Sequence, residues 1–207
     1  MSAPPTIDHR ARFWFVTFTT YGTWLPGDER GSVSDLPDGR GGVVRHNHVG
    51  EPYDGGDPGR RADADAARKE PVVRLSAAQA AAVLAQLRET AAHRGWVLHA
   101  ASVAANHVHA LVEVFDDPAP GRVRNDLKAY ASRPLNRSAG RRRTWWTDRG
   151  SVRKKPTAGA VFAAVAYVRD QPDAHVRWLD PDSEWVRWLP RHEAVNGRFR
   201  WRRDLTD

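Results

Sequence analysis

The sequence predicts an α+β domain, an antiparallel sheet covered by helices on one face. Three observations carry this. Arg12 to Thr20 (RFWFVTFTT) is rich in aromatic and β-branched residues, as a strand requires. Ser76 to Arg94 sets an apolar stripe at helical spacing between a clear start and a clear stop. Between Trp96 and Val114 lie two short apolar runs joined by a tight connection, the pattern of paired strands.

Taken in order, the first strand ends at Tyr21-Gly22-Thr23-Trp24-Leu25-Pro26-Gly27. Residues 28–71 are dense in Gly, Asp, Arg and Pro, and read as a long insert without a packed core of its own. The helix from Ser76 has a capping box, Ser76 with Gln79, and Leu75 at the staple position. Ala80, Val83, Leu84, Leu87 and Ala91 form its buried stripe, and Gly95 ends it. Strands follow at about 96–103 and 106–114, and Asp116-Asp117-Pro118 breaks the second. A second helix is expected from about Pro120 to Asn136, with Val123, Leu127, Ala131 and Leu135 inward and Tyr130 beside that stripe. Thr144 to Thr147 reads as a strand and Asp148 to Arg153 as a loop. Thr157 to Asp170 reads as a third helix with Val161, Ala164, Val165 and Val168 inward. No internal repeat is visible.

The chain has 207 residues, 41% of them hydrophobic, which suits one domain with elaborations. It has no Cys, which excludes disulfides and thiolate metal sites. No segment reaches the ~20 apolar residues of a membrane span, so a soluble, cytoplasmic protein with no membrane partner is expected. The net charge is +7, and residues 141–207 alone hold 15 Lys/Arg against 9 Asp/Glu. Such asymmetry favours a polyanionic partner. In the same region Trp178, Trp185, Trp188 and Trp201 lie among arginines. That mixture suits single-stranded nucleic acid, whose phosphates meet guanidinium while bases stack on rings. The alternative is that these tryptophans dock the tail on the domain.

The chemistry centres on Asn106-His107-Val108-His109. Side chains two apart on a strand share a face, so the two imidazoles stand together while Val108, Ala110, Val112 and Val114 face the core. Such a pair can hold a metal, or can be two satisfied histidines on a half-buried strand. A second pair, His46 and His48, has no apolar strand around it and is not expected to bind metal.

Three segments in order, NHVHALV (106–112), LKAYASRPLN (127–136) and WWTDRGSVRK (145–154), together with AVAYVRD (164–170), resemble the HUH single-tyrosine transposases. The resemblance is to the insertion-sequence 200-like group that includes the REP-associated tyrosine transposases, and it spans roughly residues 13–171 without the insert. It implies a ferredoxin-like fold and a division into a tail (1–11), a catalytic domain (12–172, insert 28–71) and a basic aromatic extension (173–207). It also implies a cytoplasmic, nucleoid-associated enzyme, commonly a homodimer, that acts on single-stranded DNA hairpins. Mapped here, His107 and His109 are ligands of Mg²⁺ or Mn²⁺ and Tyr130 is the nucleophile that forms a 5′-phosphotyrosine. A free phenol has a pKa near ~10 and gains from a nearby cation, which also polarises the phosphoryl oxygens.

One departure stands out. The place one turn after Tyr130, where the family commonly has a polar metal ligand, is Pro134, leaving Asp126 or Asn136 as substitutes. Arg149, Arg153, Lys154 and Lys155 are candidate phosphate contacts, as are Arg141, Arg142 and Arg143. Two other functions compete. Pro134 favours a non-catalytic, domesticated hairpin-binding protein. His107-x-His109-x₃-Glu113 matches the metal half-motif of cupins, although Glu113 lies roughly 13 Å beyond His109 on an extended strand.

Overall fold

The computed structural model describes residues 5–8, 10–30, 34–37, 43–46, 56–115, 117–148 and 150–189. The main sheet has five strands: β1 (Arg12–Thr19), β4 (Val97–Ala104), β5 (His107–Val114), β6 (Ser151–Lys154) and β7 (Ala174–Leu179). Their order is β6-β1-β5-β4-β7, and every neighbouring pair is antiparallel. The expected α+β sheet, of ferredoxin-like type, is therefore present.

Alternation along β5 divides the core in two. Val108, Ala110, Val112 and Val114 enter one cluster with Val16 and Phe18 of β1. This face is covered by α2 (Ala77–His93), through Ala80, Val83 and Leu87, and by α3 (Pro120–Ala139), through Val123, Leu127, Ala131 and Leu135. The capping box at Ser76 and Gln79 forms as expected. Gly140 closes α3 in the left-handed conformation that glycine adopts without a Cβ penalty. Leu111 points the other way, into a second cluster with Phe13, Ala100 and the α4 (Ala158–Arg169) residues Val161, Val165 and Val168. Helix α5 (Glu184–Arg187) joins that cluster through Trp185, only 2% exposed. Thus α2 and α3 form the expected helical layer, and α4 with α5 partly covers the opposite face.

Three local expectations change. Thr144 to Thr147 is not a strand; Trp146 makes a single bridge to Thr20, and the neighbouring strand is β6, within the segment read as a loop. Only Val152 of β6 packs inward, so this short edge strand carries almost no hydrophobic periodicity. The extension expected from 173 begins with β7, an edge strand of the same sheet. Its Val176 and Trp178 pack on the core, and Arg88 of α2 lies 3.7 Å from the Trp178 ring centre. The insert contains α1 (Pro58–Ala66), capped by Asp57, and a hairpin of β2 (Ser34–Pro37) and β3 (Val43–His46). His46 ends β3, and His48 lies outside the described residues.

Candidate metal and nucleophile site

His107 and His109 share the α4 side of the sheet, their ring centres 4.7 Å apart. The two-residue turn Ala105-Asn106 between β4 and β5 fixes the start of the strand. It is pinned by Leu75 N–H on the Ala105 carbonyl at 2.7 Å and by Thr20 N–H on the Asn106 carbonyl at 2.8 Å. Hydrogen bonds orient both imidazoles. Thr17 Oγ1 lies 2.8 Å from His109 Nδ1, and Asn106 Oδ1 accepts from His107 Nδ1 at 2.7 Å. Where Nδ1 carries the ring proton, Nε2 keeps the lone pair that a metal ligand requires.

The surroundings keep both rings neutral. Burial pulls the His109 pKa down to about 3, and repulsion from His107 acts in the same sense. Burial also lowers His107; a hydrogen bond between its ring and the Gln171 side chain and the Asp173 charge oppose this, while Arg30 adds to it. Opposite His109 on β4 stands Ser102, 2% exposed, whose Oγ has no hydrogen-bond partner among the described residues. Register places Ser151, Thr17, His109, Ser102 and Arg177 in one row across all five strands.

The tyrosine at this site is Tyr167 of α4. Its ring is 5.0 Å from His109, nearly perpendicular to it, and 5.7 Å from Phe15, which stacks on His109. Tyr167 is 36% exposed, so its ring is open to a ligand. Gln171, one turn further on, donates to the Tyr167 carbonyl at 3.3 Å. Residues four apart share a helix face, so the pattern Tyr167-x₃-Gln171 was the available signal in the sequence. Val161, Val165 and Val168 hide that signal, because their spacing by itself describes a plain core helix.

Tyr130 does not join the pair. Helix α3 lies across the opposite face of the sheet, and the Tyr130 ring is flanked by the guanidinium groups of Arg133 at 4.0 Å and Arg94 at 5.7 Å. Asp126 pairs with Arg94 at 3.0 Å. Asn136 accepts from Trp145 Nε1 at 2.8 Å and from Arg143 N–H at 3.3 Å. These three positions are therefore corrected: the sheet separates them from the histidines. Pro134, on the same helix, has no bearing on the site.

The basic candidates divide in the same way. Register puts Arg153 on the histidine face, opposite Phe15, and turns Lys154 to the other. Lys155 Nζ sits 5.2 Å from the Phe15 ring centre, its pKa lowered by burial and by Arg153. Arg143 is committed elsewhere, to Glu70 at 3.6 Å, the Pro71 carbonyl at 3.3 Å and the Trp145 ring at 5.0 Å. Arg141 and Arg142 are exposed, and Arg149 lies outside the described residues. A cleft of about 860 Å³ opens on the α3 side, lined by Tyr21, Trp24, Lys128 and Trp146 among others. It contains none of the histidine-site residues.

Glu113 hydrogen-bonds His99 at 2.9 Å and takes no part beside His109, which removes the cupin-like grouping. Among the described residues no group of three or more His, Cys, Asp and Glu could hold a metal. A divalent ion would have two imidazoles and neutral oxygens from Gln171 and Ser102. The orphaned Ser102 hydroxyl and the two oriented neutral rings fit such an ion. So weak a set for a hard cation leaves room for oxygens from a substrate.

The fold and site define an α+β protein with a paired-histidine strand facing a tyrosine helix. No protein-family model and no curated protein matches the chain. It is similar to a solved structure of a REP-associated tyrosine transposase bound to a REP hairpin, at 12% identity, covering 84% of this chain and 82% of that one, with a TM-score of 0.44. Among the described residues no helix is long and apolar enough to cross a membrane.

Proposed function

We propose that this chain is a metal-dependent enzyme that cuts and rejoins single-stranded DNA at hairpins, with Tyr167 as its nucleophile. The observation that carries the reading is the half-exposed Tyr167 ring 5.0 Å from His109, whose own ring lies 4.7 Å from His107. His107, His109 and the Gln171 amide would hold Mg²⁺ or Mn²⁺. The bound ion supplies positive charge that polarises phosphoryl oxygens and steadies developing oxyanions.

The chain's own groups do the rest. Thr17 and Asn106 fix the imidazole orientations, so the site is assembled before substrate arrives. Tyr167 Oη attacks phosphorus, the P–O3′ bond breaks, the phenol proton passes to water and the 3′-oxygen leaves as a hydroxyl. The product is a 5′-phosphotyrosine, which keeps the bond energy for rejoining. Arg153, Lys155 and Arg177 flank the pair on the same face and serve as phosphate contacts. A homodimer, implied by the family resemblance, belongs to the same proposal and is checked by sedimentation of the DNA-free protein.

The test is a pair of conservative substitutions assayed on end-labelled single-stranded hairpins. Tyr167→Phe abolishes the SDS-resistant protein–DNA adduct and keeps hairpin affinity, whereas Tyr130→Phe forms the adduct normally. EDTA abolishes it in the unmodified protein. An adduct that survives Tyr167→Phe, or is lost in Tyr130→Phe, refutes the assignment.

A further inference from the structure

A second polar cluster lies on the α4 side, one strand-length from the histidine pair. His99 is 4% exposed and bonded through both ring nitrogens: Ser183 Oγ lies 2.8 Å from Nδ1 and Glu113 Oε2 2.9 Å from Nε2. The carboxylate can only accept, so Nε2 donates, and in the neutral ring Nδ1 accepts from the Ser183 hydroxyl. The order Ser–His–Glu resembles a hydrolytic relay. However, Ser183 is 5% exposed and caps α5, so no substrate reaches it.

The cluster instead links three elements. Glu113 belongs to β5, the strand that carries His107 and His109. His99 is the extra residue of a bulge in β4, between the pairs Leu98↔Val112 and Ala100↔Leu111. The bulge turns it onto the α4 side, where it stacks on Phe13 at 5.5 Å. Ser183 opens α5, and the Asp180 N–H before it donates to the His99 carbonyl at 2.9 Å. Trp185 of α5 then wedges between Phe13, at 5.3 Å, and Phe162 of α4, at 5.2 Å. Phe162 also meets Trp188 at 5.2 Å and lies five residues before Tyr167 on the same helix.

We infer that His99, held between Ser183 and Glu113, is a positioning residue that ties α5 to the histidine strand and so fixes the tyrosine helix over His109. The inference rests on the proposed function for its catalytic consequence but not for its mechanical one. A misplacement of about 1 Å at a reacting group can cost about a hundredfold in rate. A contact that sets the seat of α4 is therefore felt at Tyr167 although it touches no substrate.

Two readouts test it. In amide hydrogen exchange of the full chain without DNA, Ser183→Ala and His99→Phe speed exchange across α4 at least tenfold and leave α2 unchanged. In single-turnover assays the same variants slow adduct formation about tenfold or more at unchanged hairpin affinity. Ser183→Thr, which keeps a hydroxyl, restores both. Leu84→Ala on α2 is the control, lowering thermal stability without slowing adduct formation. Unchanged α4 exchange in both variants overturns the inference whatever the enzyme does. Rates unchanged alongside altered exchange overturn its catalytic part. If the unmodified protein forms no adduct at all, the functional proposal fails while the exchange result still decides the mechanical link.

Discussion

The depressed pKa of His109 makes a quantitative demand on stability. The ring titrates near 6.5 in an unfolded chain and at about 3 in the folded one. Between those values the unfolded state binds a proton that the native state refuses, so stability falls as pH falls. The penalty is absent above about pH 6.5 and grows on acidification. At pH 5 nearly all unfolded molecules carry the proton, and the linkage relation gives a loss of about 2 kcal/mol at 25 °C. This figure depends on the unfolded pKa, because any native value below about 4 leaves the folded ring neutral at pH 5. The assay is urea unfolding followed by tryptophan fluorescence at pH 7.5 and pH 5.0, in EDTA, for the unmodified protein and His109→Leu. Loss of the Thr17 contact lowers the variant's stability equally at both pH values. Its pH-dependent loss is smaller than the parent's by about 2 kcal/mol. Equal losses in the two proteins would refute the claim that burial keeps His109 neutral.

Other consequences follow from particular contacts. Thr17→Val removes the group that orients His109, and Mn²⁺ affinity, measured by titration in the presence of a hairpin, drops about 10- to 100-fold. Trp185→Ala empties a fully packed position and costs about 3–5 kcal/mol in thermal or urea melts. A chain ending at Leu189 keeps β7 and α5. If residues 190–207 grip DNA, its log–log salt slope for hairpin binding falls by about 0.7 per lost phosphate contact, and an unchanged slope rejects that role. Gly150→Ala places a Cβ 2.7 Å from the Thr17 carbonyl, pushing β6 off β1 and lowering stability by about 1–3 kcal/mol in the same melts.

The two readings of the tryptophan-rich end part company at individual residues. Trp178 packs on the core beside Arg88, Trp185 is buried, and Trp188 lies on Phe162. These three dock the chain on the sheet, and Trp201 lies outside the described residues. Composition counted the arginines between them and could not register that β7 alternates Val176 and Trp178 inward with Arg177 outward. Edge strands keep half their side chains in solvent, which dilutes the periodicity that would reveal them.

The amino-acid sequence alone determined what is local. A capping box, an apolar stripe and a glycine stop define α2, and period-two alternation puts His107 and His109 on one face of β5. These features depend only on neighbours within a turn or a strand. Only the tertiary structure decided which helix meets that face. Two helices carried a tyrosine beside an apolar stripe, and nothing in either stripe states which side of the sheet it will cover. Packing settled it: Leu127 and Leu135 of α3 complete the face of Val108 and Ala110, while Val161 and Val165 of α4 complete the face of Leu111. Hydrophobic burial has no direction of its own, so a sequence can mark a helix for the core without marking which core. That choice brings Tyr167 and Gln171 to the histidines and leaves Tyr130 between two arginines on the far side of the sheet.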